Sequence, residues 1–457
     1  MLGGRTSPYH RGMLLARWLG HPARVIPAAY LVAIAIGTGL LLLPASTTSQ
    51  RSPDLVDAAF TSVSAVCITG LTSVDTATFW SPFGQVVILL LIQVGGFGIV
   101  TLASLLTLVA TGRISLQGSL LAGQELHQQN LSTVFRLPAR IAVVMLLAEA
   151  ITAAALTVAF RPLTDGWGTA LWHGVFHSIS AFNNAGFALY SDNLIGFVGD
   201  PGVIVPICLA IVVGGIGFPV LFEVARSRRA GARVHWSIHT RLTVLGTLIL
   251  LVIGTLGFAV FEWNNPDTLG SMPVGDKLLA SVAGGVFPRT AGFNSVDYGA
   301  VSEPTLGLNY LLMFIGGGSA GTAGGVKVGT VGIVIAVVIA ELRGENQVVV
   351  SHRAIPASVV RSALTVIVLG AAAVVVGTVL LAEDRFSLQQ VLFEAVSAFG
   401  TVGLSTGITP QLRPESLTVL MVLMYVGRVG TISAATALAV RARHRHYQLP
   451  EEHPIVG

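Results

Sequence analysis

Charged residues are scarce in this chain of 457 amino acids. Asp, Glu, Lys and Arg together make up 11% of it, whereas soluble domains carry about 25%. Hydrophobic residues account for 53%, and the mean hydropathy is +0.77. The only two cysteines, Cys67 and Cys208, lie far apart in apolar sequence, so neither a disulfide framework nor a cysteine metal site is expected. A soluble enzyme, a nucleic-acid-binding protein and a disordered chain are therefore excluded, and an integral membrane protein is expected.

Long apolar runs make up most of the sequence. A membrane-spanning helix needs about 20 apolar residues. Eight such runs occur, at roughly 25–44, 82–110, 139–160, 202–224, 239–261, 306–340, 357–382 and 415–440. Four shorter semi-apolar stretches lie between successive pairs of runs, at 54–71, 168–187, 276–293 and 387–404. Each is too short to cross a bilayer and ends in glycine-containing sequence, which predicts a re-entrant half helix followed by an extended return.

The distribution of basic residues predicts the orientation. With the N-terminus inside, 18 of the 26 Lys and Arg residues fall in segments on the inner side. This is a strong positive-inside bias, so the terminal segments 1–24 and 442–457 are both expected to be cytoplasmic. Acidic residues collect on the outer side, where they would concentrate cations. The simpler explanation, that acids merely avoid the cytoplasmic leaflet, stays open.

A fourfold internal repeat is visible in the short stretches. One glycine from each aligns, at spacings of 116, 106 and 111 residues. These glycines are Gly70, Gly186, Gly292 and Gly403. Six residues earlier the first, second and fourth copies have Ser64, Ser180 and Ser397, and the third has Val286. A second glycine cluster follows each aligned glycine after 24 to 28 residues, at Gly95–Gly96, Gly214–Gly215, Gly316–Gly317 and Gly427.

The repeat predicts an all-α integral membrane protein. Four copies of span, re-entrant loop and span (M1–P-loop–M2) would surround a pseudo-fourfold pore, giving eight spans and four half helices. The expected repeat boundaries are 25–111, 139–226, 239–341 and 356–441.

Four half helices that converge on one axis can present backbone carbonyls that replace the hydration shell of an ion. Glycine suits this task because it accepts backbone angles that other residues resist. Thr401-Val402-Gly403 matches the start of the potassium-channel filter sequence Thr-Val-Gly-Tyr-Gly. The predicted filter residues, which would hold K⁺ as the only metal, are Ile68, Thr69, Gly70, Asn184, Ala185, Gly186, Thr290, Ala291, Gly292, Thr401, Val402 and Gly403. The alternative is that these glycines are helix-packing positions in an ordinary transporter.

The sixth apolar run contains a segment of ten residues of which six are glycine. Each glycine costs about 1 kcal/mol relative to Ala inside a helix, so the span is expected to break there into a loop. The segment consists of Gly316, Gly317, Gly318, Ser319, Ala320, Gly321, Thr322, Ala323, Gly324 and Gly325. It lacks the Gly-Lys-Ser/Thr ending of a phosphate-binding loop. A kink for close helix packing is the alternative.

Two basic residues, Lys327 and Arg428, lie within apolar runs and are functional candidates by default. Arg428 is expected below the filter, with Glu149 or the carbonyls of the glycine-rich loop as partners. Lys327 could instead extend to the cytoplasmic interface. A third, Arg289, precedes the third filter segment and is expected to brace it from within the protein.

The motifs resemble a known family. Phe182-Asn183-Asn184-Ala185-Gly186-Phe187, Pro288-Arg289-Thr290-Ala291-Gly292-Phe293-Asn294 and the glycine-rich run are similar to those of the Trk/Ktr/HKT superfamily of potassium-translocating subunits, most of all the KtrB type. This resemblance implies channel-like K⁺ uptake across the bacterial inner membrane, with loop 316–325 as an intramembrane gate. In plant relatives a serine at the position of Gly70 accompanies sodium permeability, so glycine here implies a preference for potassium.

The resemblance also implies an assembly. It predicts a homodimer docked on a cytosolic ring of KtrA-like nucleotide-binding subunits, which would bind ATP or ADP, while this chain itself holds no cofactor. Na⁺ as a co-transported or stimulating ion is left open. The basic inner face, with Arg226, Arg228, Arg229 and Arg233 in one loop and Arg441, Arg443 and Arg445 at the tail, fits such a partner and also fits anionic membrane lipids.

Two other classes of function are alternatives for such an apolar chain. A secondary transporter of an organic solute would work by alternating access between inverted repeats. Here the four units share one orientation, which argues against it. An intramembrane enzyme would need a nucleophile–base or metal constellation. Only His173 and His177 have a suggestive spacing, without a third ligand, so no catalytic residue is expected.

Overall fold

The computed structural model describes residues 22–98, 131–229 and 236–430. The predicted C-terminal segment 442–457, Arg233 and nearly all of segment 1–24 lie outside these residues. In chain order the α-helices are α1 (Pro22–Leu41), α2 (Leu55–Cys67), α3 (Pro82–Gly96), α4 (Leu131–Phe160), α5 (Trp167–Phe182), α6 (Pro201–Ile216), α7 (Phe218–Arg229), α8 (Ile238–Glu262), α9 (Val274–Val286), α10 (Glu303–Phe314), α11 (Val328–Leu342), α12 (Ala357–Leu381), α13 (Leu388–Gly400) and α14 (Pro414–Tyr425).

Other secondary structure is minor. Strands β1 (Val349–Val350) and β2 (Arg353–Ala354) form an antiparallel hairpin between α11 and α12. Short 3₁₀ turns lie in the connections, at Pro44–Ser46, Arg161–Leu163, Ile195–Phe197 and Thr409–Gln411. Helix α14 continues into a π-helical turn, Val426–Gly430.

Several helices begin where the sequence supplies a cap. Ser81 accepts a hydrogen bond from the Gly84 amide at the start of α3, and a proline occupies the first helical position. Ser387 and Gln390 form a reciprocal capping box at the start of α13. These caps satisfy amide groups that the first turn of a helix leaves without partners, so the starts of α3 and α13 are fixed by local sequence.

Three of the described helices are long and apolar enough to cross a membrane: Pro138–Leu163, Ile238–Glu262 and Ala357–Leu381. Helices α6 and α7 count as a fourth span if the pair, bent by 96°, is taken as one. The remaining predicted runs appear as shorter helices. The sixth run is interrupted between Phe314 and Val328, and the second and eighth extend beyond the described residues. The arrangement of eight spans and four half helices therefore stays a prediction.

The short helices α2, α5, α9 and α13 make packing contacts between neighbouring repeats. Each packs against the last helix of the preceding repeat: α5 against α3, α9 against α6, α13 against α10, and α2 against α14. Because the fourth repeat contacts the first, the four repeats form a closed ring. Side chains of α2 and α13 are largely buried, while apolar side chains of the long helices, such as Leu256 and Val260, are exposed. This is the polarity expected of a protein surrounded by lipid.

In the first, second and fourth repeats, a glycine of the second cluster lets two backbones touch. A Cβ at Gly95 would overlap the carbonyl of Val66, one at Gly214 that of Phe182, and one at Gly427 that of Phe399. In each case the carbonyl lies four residues before the aligned glycine of the same repeat. The spacing seen in the sequence therefore reflects a repeated close contact between the last helix of a repeat and the end of its short helix.

Replacing Gly95 with Ala is expected to lower the free energy of unfolding by about 1–3 kcal/mol, because the added methyl group overpacks this contact. The matched control is Gly39→Ala on α1, where an added Cβ has no neighbour within 4 Å. That change is expected to stabilise the helix by about 0.5–1 kcal/mol. Thermal unfolding of the two detergent-solubilised variants measures the difference, and equal melting temperatures would contradict the packing role.

Candidate functional site

The four predicted filter segments share one unusual backbone conformation. Each aligned glycine has a positive φ, of 93° at Gly70, 72° at Gly186, 72° at Gly292 and 98° at Gly403. The residue two positions earlier is also left-handed, with φ of 58° at Ile68, 59° at Asn184, 64° at Thr290 and 49° at Thr401. Positive φ is a genuine outlier for β-branched residues such as Ile and Thr. Such strain persists only where the surroundings over-determine it, and it concentrates at functional sites.

The four segments meet around one axis. A Cβ added at Gly70 would contact the Ala185 carbonyl, one at Gly186 the Ala291 carbonyl, one at Gly292 the Val402 carbonyl, and one at Gly403 the Thr69 carbonyl. The neighbours follow in the same cyclic order as the helices. All twelve predicted filter residues are thus brought together, and all but the partly exposed Gly403 are buried. The carbonyl of the middle residue of each segment lies against the glycine of an adjacent segment.

The serines that recur in three of the four repeats hold these segments by hydrogen bonds. The Gly70 amide donates to Ser64 Oγ at 3.0 Å, and the Gly403 amide donates to Ser397 Oγ at 3.1 Å. In the second repeat Ser180 Oγ donates instead to the Phe187 carbonyl at 2.7 Å. Val286 cannot make such a bond, so the third segment lacks this support. The recurrence of a serine six residues before the glycine is therefore explained by the hydrogen bond that its hydroxyl makes.

A second set of braces holds the outer ends of the segments. The Leu189 amide donates to His177 Nε2 at 3.2 Å, and the Thr406 amide donates to Glu394 Oε1 at 3.1 Å. His173 Nδ1 lies 2.8 Å from the Tyr190 hydroxyl. The histidine pair is thus engaged in structural hydrogen bonds. Among the described residues no cluster of His, Cys, Asp and Glu is able to hold a metal ion.

Oxygen atoms without a protein partner face this region. The side-chain hydroxyls of Thr69, Thr290 and Thr401 are buried and make no hydrogen bond within the described part of the chain. Together with the carbonyls they supply neutral oxygen ligands and no carboxylate. Such a set suits an alkali cation that passes through, because full negative charges would hold the ion too tightly for conduction.

The glycine-rich segment forms a closed loop between α10 and α11. The Gly316 amide donates to the Val326 carbonyl at 2.8 Å, and the Val326 amide donates to the Phe314 carbonyl at 3.2 Å, so the loop is joined at its neck. The loop also pairs with the α6–α7 bend, where the Gly318 amide donates to the Gly215 carbonyl at 2.8 Å. The expected break in the sixth run is therefore present, and it is a hydrogen-bonded loop rather than a kink.

Three basic side chains donate to carbonyls of this loop. Arg289 Nη2 donates to Gly316 O at 2.9 Å, Lys327 Nζ donates to Ala323 O at 2.6 Å, and an Arg428 Nη donates to Thr322 O. Lys327 thus turns toward the loop. Arg428 also donates to the Gly95 carbonyl at 3.3 Å and lies in the π-helical turn that ends α14. Turns of this kind are frequent at functional sites.

Glu149 is not the partner of Arg428. Its Oε2 accepts from Gln93 Nε2 at 2.8 Å, and its Oε1 accepts from Asn183 Nδ2 at 2.9 Å. Asn183 Nδ2 also donates to Gln93 Oε1 at 3.0 Å. This amide–carboxylate network joins α4, α3 and the end of α5, next to the second filter segment. The sequence marked Glu149 as an acid within a span but did not indicate its two amide partners.

Apolar spans and a ring of repeats that meets at buried oxygen atoms define a multi-pass membrane protein. The family model described as "TrkH: Cation transport protein" matches residues 20–447. The chain therefore belongs to the TrkH family of cation transport proteins, which confirms the resemblance inferred from its motifs and is a family of transporters rather than enzymes.

Relatives match over nearly their whole length. The Ktr system potassium uptake protein B of Bacillus subtilis is 41% identical over 92% of this chain and 93% of its own. Its namesake in Vibrio alginolyticus is 37% identical over 96% and 95%. The potassium/sodium uptake protein NtpJ of Enterococcus hirae is 34% identical over 95% and 97%. The crystal structure of the potassium transporter TrkH from Vibrio parahaemolyticus shares the fold, with a TM-score of 0.69 at 17% identity over 91% of this chain and 85% of that one.

Replacing Ser397 with Ala is expected to lower the free energy of unfolding by about 1–3 kcal/mol, because the Gly403 amide would lose the hydroxyl that accepts its hydrogen bond. The matched control is Ser362→Ala, which removes a hydroxyl that bonds only to the Ser358 carbonyl of its own helix. Thermal unfolding in detergent compares the two. A control as destabilised as Ser397→Ala would contradict the brace.

Proposed function

We propose that this chain takes up K⁺ through a channel-like filter formed by residues 68–70, 184–186, 290–292 and 401–403. The main support for the proposal is a ring of four turns that share the same left-handed conformation. In each turn the glycine packs against the carbonyl group of an adjacent segment. The relatives from Bacillus subtilis and Vibrio alginolyticus, named as potassium uptake proteins, support the choice of ion. The name of the Enterococcus hirae relative includes sodium, so Na⁺ is the ion against which selectivity has to be measured.

The filter would stabilise a cation in two ways. Carbonyl oxygens replace the water that the ion sheds on entry. In addition, α2 and α13 end directly before a filter segment, α5 ends one residue before its segment, and α9 ends three residues before its segment. The C-terminal end of a helix carries a partial negative charge equivalent to about half an elementary charge. Four such ends favour a cation at the axis without the tight binding of a full carboxylate.

The glycine-rich loop 316–325 is proposed as the gate. It lies against the inner ends of the filter: a Cβ at Gly324 would overlap Thr401 Oγ1, and one at Gly316 would lie 3.5 Å from Thr290 Cγ2. Lys327 and Arg428 place two positive charges beside it. A cation that leaves the filter would have to pass this loop and these charges, so part of the loop has to move aside for conduction.

The proposed arrangement in the membrane follows from the repeat. Four units of two spans and one re-entrant half helix would surround the pore, with both termini in the cytoplasm of the bacterial cell. The positive-inside distribution of basic residues supports this orientation. The described residue Arg226 belongs to one of the inner basic clusters, whereas Arg441, Arg443 and Arg445 lie outside the described residues.

Regulation is proposed to come from a cytosolic partner. The relatives are named as protein B of a Ktr system, which supports a second component. Helix α11 leads from the glycine-rich loop directly to the exposed β1–β2 hairpin, where Arg343 and Glu345 form a surface ion pair. A homodimer docked through this hairpin on a ring that binds ATP or ADP could move the loop by pulling on α11.

Expression of the chain with its genomic neighbours in a potassium-uptake-deficient bacterium is expected to restore growth at low K⁺ and uptake of ⁸⁶Rb⁺. Gly70→Ser should raise Na⁺ uptake relative to Rb⁺, because an added side chain at φ 93° displaces the Ala185 carbonyl. The matched control is Gly344→Ser, with φ 66° and no neighbour within 4 Å. An unaltered Na⁺-to-Rb⁺ ratio in Gly70→Ser would rule out the filter, and an altered ratio in both variants would show a non-specific effect.

Removal of residues 318–321 from the glycine-rich loop is expected to increase ⁸⁶Rb⁺ uptake and to make it less dependent on the partner protein. The deletion shortens the loop that lies across the inner end of the filter while leaving the neck at Gly316 and Val326. Initial uptake rates with and without the partner measure both effects. A variant that elutes like the wild type on gel filtration but conducts no faster would contradict the gate.

A further inference from the structure

One residue of the glycine-rich loop bonds directly to the filter. Thr322 Oγ1 donates to the carbonyl of Phe182 at 3.2 Å and lies 3.0 Å from the side-chain amide of Asn184. Asn184 is the left-handed residue of the second filter segment, with φ 59°. The loop and the filter are therefore joined by a hydrogen bond between side chains as well as by packing.

The surroundings determine the orientation of the Asn184 amide. Its Nδ2 faces three oxygen atoms: Thr322 Oγ1 at 3.0 Å, the Phe182 carbonyl at 3.3 Å and the Ile211 carbonyl at 3.3 Å. An amide nitrogen donates, so these contacts assign Nδ2 rather than Oδ1 to this position. The Thr322 hydroxyl then accepts from Asn184 and donates to Phe182. Of the three acceptors, only Thr322 belongs to the loop that is proposed to move.

Thr322 is bound at its backbone as well. Its amide donates to the Gly214 carbonyl at 3.2 Å, and its own carbonyl accepts from Arg428. A Cβ at Gly214 would lie 2.9 Å from Thr322 Oγ1, so the absence of a side chain at Gly214 leaves room for the hydroxyl. Thr322 thus belongs to the third repeat, is fixed to the second through Asn184 and Gly214, and is held by the fourth through Arg428.

We propose that Thr322 is the positioning residue through which the closed glycine-rich loop sets the geometry of the second filter segment, so that ion selectivity depends on the position of the loop. The inference rests on the proposed function of the filter and adds to it a coupling between gate and filter. When the loop moves, Asn184 keeps two of its three acceptors. The second segment would therefore relax rather than unfold, and selectivity would change while conduction continues.

Two substitutions separate this role from general packing. Thr322→Val keeps the shape of the side chain and removes the hydroxyl, while Thr322→Ser keeps the hydroxyl. Asn184→Gly removes the other partner and tolerates the left-handed backbone. The matched control is Thr330→Val at the start of α11, whose hydroxyl has no hydrogen bond within the described residues.

The measurement is the ratio of ²²Na⁺ to ⁸⁶Rb⁺ uptake into liposomes that contain the purified full-length chain with its partner. Thr322→Val is expected to raise this ratio about tenfold, the effect of losing one net hydrogen bond from the selective state. Asn184→Gly should raise it in the same way, and the double variant no further than the larger single change. Thr322→Ser and Thr330→Val should keep the wild-type ratio.

The outcomes distinguish the two proposals. A wild-type chain that does not prefer Rb⁺ would overturn the proposed function, and the role of Thr322 with it. A selective wild type with an unchanged ratio in Thr322→Val would overturn the coupling alone, even if the total flux fell. A double variant whose ratio rises by the product of the two single effects would also overturn the coupling. If Thr322→Val is not recovered as folded protein, Asn184→Gly is compared with Thr322→Ser instead. An unchanged ratio in Asn184→Gly then contradicts the coupling. A ratio that rises in Asn184→Gly but not in Thr322→Ser supports it.

Discussion

Four stretches of backbone approach one another so closely that no side chain fits between them, and the rest of the protein holds that approach in place. At Gly70, Gly186, Gly292 and Gly403 an added Cβ would collide with the backbone of another repeat. The turn that allows this uses a left-handed residue, a middle residue and a glycine. Because the first of these is not glycine in any of the four copies, the conformation is strained and has to be supported from outside. The serine, histidine and glutamate braces and the glycines of the last helices supply that support.

The membrane makes the broken helix at residues 315–327 a second constraint. Irregular backbone within a membrane protein is tolerated only where it is buried in protein or lines a cavity, because lipid offers its carbonyl groups no hydrogen bonds. Here Arg289, Lys327 and Arg428 donate to carbonyls of the loop. The same hydrogen bonds also satisfy the three basic side chains, because buried cations require acceptors. Since neutral carbonyls are weaker partners than carboxylates, the loop is held by hydrogen bonds that are weaker than ion pairs.

Much of this site was predictable from sequence because glycine leaves a visible pattern. The aligned glycines, the serines before them and the break in the sixth run all follow from spacing and helix propensity. The left-handed conformation of Ile68 was not predictable, since β-branched residues avoid it and only the assembled ring enforces it. The 96° bend between α6 and α7 was also missed. Hydropathy runs unbroken through residues 202–224, and the φ of 98° at Gly217 depends on the loop that packs against it.

The ring is asymmetric, because the glycine-rich loop belongs to one repeat and contacts the filter segments of three. The innermost residues of the second, third and fourth filter segments, Asn184, Thr290 and Thr401, all lie against the glycine-rich loop, whereas Ile68 of the first segment packs toward Gly95. A ring of four identical subunits would place four such loops at the axis. Because all four repeats belong to one chain, the third can carry the glycine-rich loop while the first, second and fourth keep the close backbone contacts at Gly95, Gly214 and Gly427. The third repeat, which carries the loop, is also the one that has Val286 where the other three have the serine that bonds to the filter segment or to the residue that follows it.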